Sequence, residues 1–361
     1  MKDGFATYRV LCLLSAILLL GKSSALAAPA HEVPEISYES VPNFLKYSPD
    51  MNLGEVLGVA VNSQGHITVL NHPGSAGNGG PLYGNATTQL LEFDHDGNFV
   101  REIGQNVYGL GYSHSVRYDR YDNLWVVDKG ANTAIKFDPA GYVVMNLGRR
   151  PEGFDEYEHV SGADAVAVDG YFGGPTDVGW DADDNIYISD GYLNSRVAKY
   201  DKHGNWVKTW GSWGTDEGQF RLPHNLQVDR DGNVYVADRS NARIQVFDSD
   251  GAFLRIIYLD VPFDKTLQPI LGNRNPNLGD ETAPWTLCIS SGEPQYLWAS
   301  DAHPGRIYKL TLDGDIIGVL GKSGKELGQF NWVHGLDCSE DGVLYVADMN
   351  NWRLQKLILD P

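Results

Sequence analysis

The chain is short of basic residues: 28 Lys and Arg stand against 47 Asp and Glu, a formal net charge of −19 at pH 7. So acidic a surface repels phosphate backbones and anionic membranes at long range, which excludes nucleic acid as an expected partner. Apolar runs are scarce too. The pronounced one, Val10–Leu20, is too short to span a bilayer. It follows Lys2 and Arg9 and precedes Ala25-Leu26-Ala27, so residues 1–27 read as a secretory signal cleaved near Ala27. The mature chain, residues 28–361, is then secreted or periplasmic, free of the membrane, and more acidic still once Lys2, Arg9 and Lys22 have left with Asp3. Cysteine is nearly absent. Of three, Cys12 lies in the signal, leaving Cys288 and Cys338. Two thiols exclude a fold built on disulfides; they form one bridge in an oxidising compartment or stay buried and reduced, and spacing does not decide. Linkers and low-complexity segments are also missing, so one domain is expected. Asn85-Ala86-Thr87 is a glycosylation sequon, meaningful only in a host that glycosylates.

What is present is a repeat. Leu222–Phe247, LPHNLQVDRDGNVYVADRSNARIQVF, predicts strands at Asn225–Val228, Val234–Ala237 and Arg243–Phe247. A fourth follows at Ala252–Ile257. Asp229–Asn233 and Asp248–Gly251 supply turns, because Asp, Gly and Asn tolerate left-handed backbone angles. Four short antiparallel strands in so few residues make one blade of a β-propeller. An Asp closing the second strand marks each copy: Asp128, Asp190, Asp238, Asp301 and Asp348, with Asn71 in a degenerate first copy. The spacings Asp190–Asp238 and Asp301–Asp348 are 48 and 47 residues, and insertions near Arg149–Gly173 and Asp260–Ala283 lengthen the others. The expected fold is therefore all-β, a six-bladed propeller with four antiparallel strands per blade. Each blade buries its faces only on its neighbours, so the ring must close. Residues His31–Asp50 are expected to pair with Leu354–Leu359 and close it.

The position fourteen residues before the marker carries His114, His224 and His334, each 110 residues apart and on alternate blades. The remaining blades carry Leu57, Thr176 and, with a two-residue shift, Trp285. Alternate blades of six lie about 120° apart, so three imidazoles would meet on the channel axis at one height. One such histidine is an ordinary channel-lining residue. Three in this relation are the ligand set of a catalytic zinc with an open fourth position. The residue after each marker should line the channel mouth: His72, Lys129, Gly191, Arg239, Ala302 and Met349. Arg239, and Tyr192 one position beyond Gly191, are candidates for a substrate clamp and a proton carrier.

The stretches EVLGVAVNSQG, YSHSVRYD, GPTDV, IYISDGYLNSR, LPHNL, VADRSNARIQVF and VHGLDCSEDGVLYVAD resemble NHL repeats, and together they resemble the peptidyl-α-hydroxyglycine α-amidating lyases from about residue 53 onward. The resemblance implies cleavage of a carbinolamide, N–CH(OH)–COOH, to an amide and glyoxylate. It implies zinc on His114, His224 and His334, Tyr192 as proton acceptor, and Arg239 near the substrate. It also implies a channel calcium held partly by backbone carbonyls at Val56 and Val116, and by an Asp whose position here is Gly335. There are further departures. The family's catalytic blade-one arginine falls on His72, which is then expected to be catalytic with Tyr192 and Arg239, or on Asn71 if the alignment slips, with Arg149 or Arg150 as candidate substitutes. A methionine becomes Trp332, and a blade-three cysteine becomes Leu193. Arg239, Arg149, Trp332 and Met349 are thus the expected substrate contacts. The expected partners are a peptide or small-molecule substrate and a separate monooxygenase chain, with the propeller itself a monomer. Two alternatives stand: an exported propeller that binds peptide or carbohydrate without catalysis, and a metal-dependent hydrolase or lactonase, whose usual Glu, Asp and Asn set for calcium is not found here.

Overall fold

The computed structural model describes residues 33–73, 88–150, 162–263 and 282–360. The segment expected to be a signal, the sequon and the middle of both insertions lie outside the described residues. Val33–Pro361 forms one compact unit.

The turns are built as their composition requires. In blade four the Asp229 carboxylate accepts the backbone N–H and the side-chain amide of Asn233, both at 2.8 Å, with Gly232 at φ 85°. In blades two and three Asp122 and Asp184 take the left-handed position themselves, at φ 58° and 65°, which short polar side chains tolerate.

Strands on either side of these turns pair antiparallel into six sheets of four. The inner strands, in blade order, are Glu55–Val61, Ser113–Tyr118, Pro175–Trp180, Pro223–Val228, Pro284–Ile289 and Val333–Asp337. Blade four begins earlier than expected, at Pro223, and its outer strand starts at Phe253. Blade six takes its outermost strand from the start of the domain: Tyr38–Ser40 pairs antiparallel with the end of Arg353–Leu359. The ring is closed by both chain ends, as expected.

The marker Asp proves to be a buried hub. Asp190 accepts from Gly173 N–H, the Asn194 amide and Arg196 Nε; Asp238 accepts from Arg221 N–H, Asn241 and Arg243 Nε. Each ties the loop entering the inner strand to the third strand, so the backbone N–H groups that burial would orphan are satisfied. Apolar residues pack between blades, with clusters such as Val127, Ile188, Ala198 and Phe172 spanning neighbouring sheets.

Cys288 and Cys338 are joined in a disulfide between blades five and six, with Cα atoms 6.0 Å apart. Closing a segment of this length stabilises the fold by about 4 kcal/mol in the chain-entropy account.

Candidate metal centre

Each inner strand carries an irregularity at the same place. In blade four, Pro223 pairs with Asp238 and Asn225 with Ala237, leaving His224 as the extra residue of a β-bulge. His114 and His334 occupy the same bulge position in blades two and six, and Leu57 and Thr176 in blades one and three. Blade five breaks register between Pro284 and Leu287, at Trp285 and Thr286. A bulge re-aims a side chain, and here it turns the three imidazoles toward one another. Strand periodicity alone does not reveal this.

The imidazoles are buried and mutually close, with ring centroids 4.6, 4.7 and 5.1 Å apart. Every Nδ1 bonds a main-chain carbonyl of the next blade at that blade's equivalent position. His114 meets Thr176 O at 2.7 Å, His224 meets Trp285 O at 2.8 Å, and His334 meets Leu57 O at 2.9 Å. A carbonyl only accepts, so each Nδ1 carries the proton and each neutral ring offers a lone pair at Nε2. The Nε2 atoms of His114 and His224 lie 3.2 Å apart. Two lone pairs facing each other at that distance repel unless a cation stands between them. Tetrahedral ligands about 2.0 Å from zinc would be about 3.3 Å apart, so the donor set fits a metal ion, and one ligand atom from each histidine lies within 4.8 Å of the others.

Burial holds all three imidazoles well below the usual histidine range. Electrostatic neighbours add to the effect, chiefly His334 and the Lys129 cation on His114 and the Arg239 cation on His224; His334 is pushed down to about 3. The folded values lie below the unfolded value of about 6.5, so this contribution to stability is present above that pH and lost as pH falls toward the folded values. The expected result is that all three rings of the metal-free protein stay neutral through the range near about 6.5 where free imidazole takes up its proton. Nitrogen shifts from two-dimensional NMR would check this; a ring titrating near 6.5 would contradict the arrangement.

Beside the histidines stands Tyr192, its hydroxyl 3.2 Å from His114 Nε2. Burial pushes its phenol up, but the Lys129 and Arg239 cations outweigh this and hold it below the ordinary tyrosine value. Lys129 Nζ lies 4.1 Å from the Tyr192 ring centre and 4.6 Å from that of Tyr112. The Arg239 guanidinium lies 4.2 Å from Trp285 and 6.0 Å from Tyr192. Neither cation pairs with a carboxylate among the described residues, and Arg239 Nε is buried without a hydrogen-bond partner there. Charges left so incompletely matched call for an anion.

The remaining expected site residues divide. Trp332 and Met349 are buried in a wall with Trp285, Ala302, Leu57 and Val116. Trp285 meets His224 at 5.2 Å and Trp332 at 4.9 Å between ring centres. His72 is wholly buried, its ring 4.3 Å from Tyr112 and its Nδ1 3.9 Å from Glu55. Arg149 is exposed against Tyr171, 5.7 Å from the ring centre, and Arg150 lies over Tyr108. Sequence reasoning placed Lys129 at the channel mouth but gave it no role. The signal was there: it is the basic residue directly after the blade-two marker, in the slot that Arg239 holds in blade four.

The residues do not fit the calcium that the resemblance implies. Val56 and Val116 are buried on inner strands, but a Cβ on Gly335 would stand 2.8 Å from Leu57 O and 2.9 Å from Gly58 Cα. No side chain, acidic or otherwise, has room there.

Residues 220–247 match the model of the NHL repeat. A protein of Caenorhabditis elegans described as a probable peptidyl-alpha-hydroxyglycine alpha-amidating lyase is 28% identical, with 87% of this chain and 85% of the relative covered. The rat peptidylglycine alpha-amidating monooxygenase is 26% identical over 85% of this chain, which spans 30% of that longer protein. Among solved structures, a gluconolactonase from Xanthomonas campestris superposes with a TM-score of 0.57 at 13% identity, covering 92% of this chain and 99% of the other, a likeness of fold alone. By sequence and architecture together, the chain is an NHL-repeat β-propeller and a divergent relative of the peptidyl-α-hydroxyglycine α-amidating lyases.

Proposed function

We propose that the protein is a zinc-dependent lyase that cleaves an N-(α-hydroxy) carbinolamide bearing a carboxylate to an amide and glyoxylate. The observation that carries this reading is the convergence of three neutral Nε2 donors beside a phenol and two cations without carboxylate partners. A zinc ion bound there would supply Lewis acidity, lowering the pKa of the substrate hydroxyl.

The rest falls to the chain's own residues. Tyr192 takes the hydroxyl proton; the O–H electrons form the new C=O of glyoxylate as the C–N bond breaks. The proton returns to the departing nitrogen, so the amide and glyoxylate together contain the atoms of the substrate. No water or oxidant is consumed. Lys129 and Arg239 hold the carboxylate and steady the charge that develops on oxygen. Lys129 thereby provides the second positive charge that the blade-one slot lacks, since His72 lies against Tyr112 and Glu55. Trp285, Trp332 and Met349 keep water from the metal side of the pocket.

Two expectations accompany this reading. The disulfide supports export to an oxidising compartment. A separate monooxygenase chain would supply the hydroxylated substrate, and the propeller would act as a monomer.

The test is to measure metal content and glyoxylate release on an α-hydroxyglycine peptide with and without chelator. One zinc per chain and chelator-sensitive release are expected. Bound zinc without glyoxylate would turn the search to other hydroxylated amides; no metal at all would leave a propeller that only binds.

A further inference from the structure

Three residues beyond His114 on the same strand, about 10 Å along it, Arg117 turns into the channel. Its guanidinium meets the wholly buried Asp177 of blade three through both carboxylate oxygens, Nε to Oδ1 at 2.9 Å and Nη2 to Oδ2 at 2.7 Å. Nη2 also reaches Asn225 Oδ1 of blade four at 3.4 Å and Leu287 O of blade five at 3.3 Å. One side chain thus spans from blade two to the opposite side of the ring, which only a group near the axis can do.

The partners are knit to each other. Asn225 Oδ1 accepts Leu287 N–H at 2.8 Å, and Asp177 Oδ2 accepts Leu226 N–H at 3.3 Å. On the far side Asp337 of blade six accepts Val61 N–H of blade one at 2.9 Å. Burial pushes the Asp337 carboxyl up, and the hydrogen bonds from Ser339 and Val61, followed by the Arg117 charge, only partly offset it. The inner strands of blades two to five therefore meet in one polar cluster around Arg117, and those of blades six and one are joined separately by the Asp337 carboxylate.

The same strands carry the metal centre. Asp177 follows Thr176, whose carbonyl orients His114. Asn225 follows His224. Leu287 lies two residues beyond Trp285, whose carbonyl orients His224. We infer that the Arg117 guanidinium is the resident cation of this channel, holding the strands that present the histidines in register and leaving no place for a second metal ion. The closed space at Gly335 agrees with this assignment. An always-charged fork satisfies two carboxylate oxygens, an amide oxygen and a carbonyl without depending on the supply of an ion. Arg117 is a positioning residue and touches no reacting atom. The inference does not depend on the lyase reading.

The test uses the mature protein. After treatment with EGTA, wild type should show the same melting temperature with and without 1 mM calcium, and atomic spectroscopy should find no calcium on the chain. Cobalt(II) titrated into metal-free protein reports the three-histidine site by its visible absorption. Arg117→Ser should bind cobalt at least about tenfold more weakly and should gain a calcium-dependent rise in melting temperature. Arg117→Lys should recover part of the cobalt affinity. One calcium per wild-type chain, with a melting temperature that drops on chelation, would overturn the inference. So would an Arg117→Ser protein that binds cobalt as wild type does. Should Arg117→Ser not fold, the wild-type calcium measurements decide the matter.

Discussion

Replacing His224 by alanine is expected to empty the metal centre and abolish turnover while leaving the propeller folded. His224 offers its Nε2 3.2 Å from that of His114, and its Nδ1 is already committed to Trp285 O. Without it the ion keeps two protein ligands, and affinity should fall by on the order of 100-fold or more, since even partners one layer out are worth 10–100-fold. The fold should persist. The bulge is a backbone feature shared with Leu57 and Thr176, and the closing strand and the disulfide lie elsewhere. Zinc per chain measured on the purified variant, alongside its circular dichroism, checks this. His203→Ala, in an exposed turn, is the control and should keep its metal. Wild-type metal content in His224→Ala would mean that the histidines are not the site.

The second large effect is expected from Tyr192→Phe, which removes one hydroxyl and little else. The ring packs edge-on against His114 at 5.4 Å and beneath the Lys129 and Arg239 cations, and phenylalanine preserves those contacts. Zinc content and KM should change little. Loss of a proton carrier typically lowers kcat by about 10²–10⁴. The pH profile sharpens the assignment. If the phenolate is the base, wild-type kcat/KM rises as pH climbs through a value depressed below that of ordinary tyrosine. Lys129→Met removes the first of the two charges that depress it, so the phenolate becomes harder to form and the rising limb must move to higher pH. The same variant should raise KM for carboxylate substrates, because it also removes a clamp. Tyr192→Phe turning over within a few-fold of wild type would place the proton transfer elsewhere.

Much of this was legible from residues alone, for a definite reason. Strand alternation and Asp-Gly-Asn turns are local signals, and a repeat read six times averages out local ambiguity. Position within the repeat is also angular position around the ring, so histidines 110 residues apart on alternate blades had to converge. Closure of the ring by both chain ends followed from the surplus strand ahead of blade one.

What the tertiary structure decided is contact between residues far apart in sequence, which no local pattern encodes. The carbonyls that set each imidazole's tautomer come from the neighbouring blade, at Thr176, Trp285 and Leu57. The bridge between Cys288 and Cys338 exists because two blades abut. His72 is buried against Tyr112 and Glu55 while Lys129, on the next blade, reaches Tyr192. The channel cation is Arg117 because Asp177, Asn225 and Leu287 meet there once six strands surround one axis. Sequence periodicity determined which residues face the channel; only the closed ring, by fixing the distances across it, determined which of them act together.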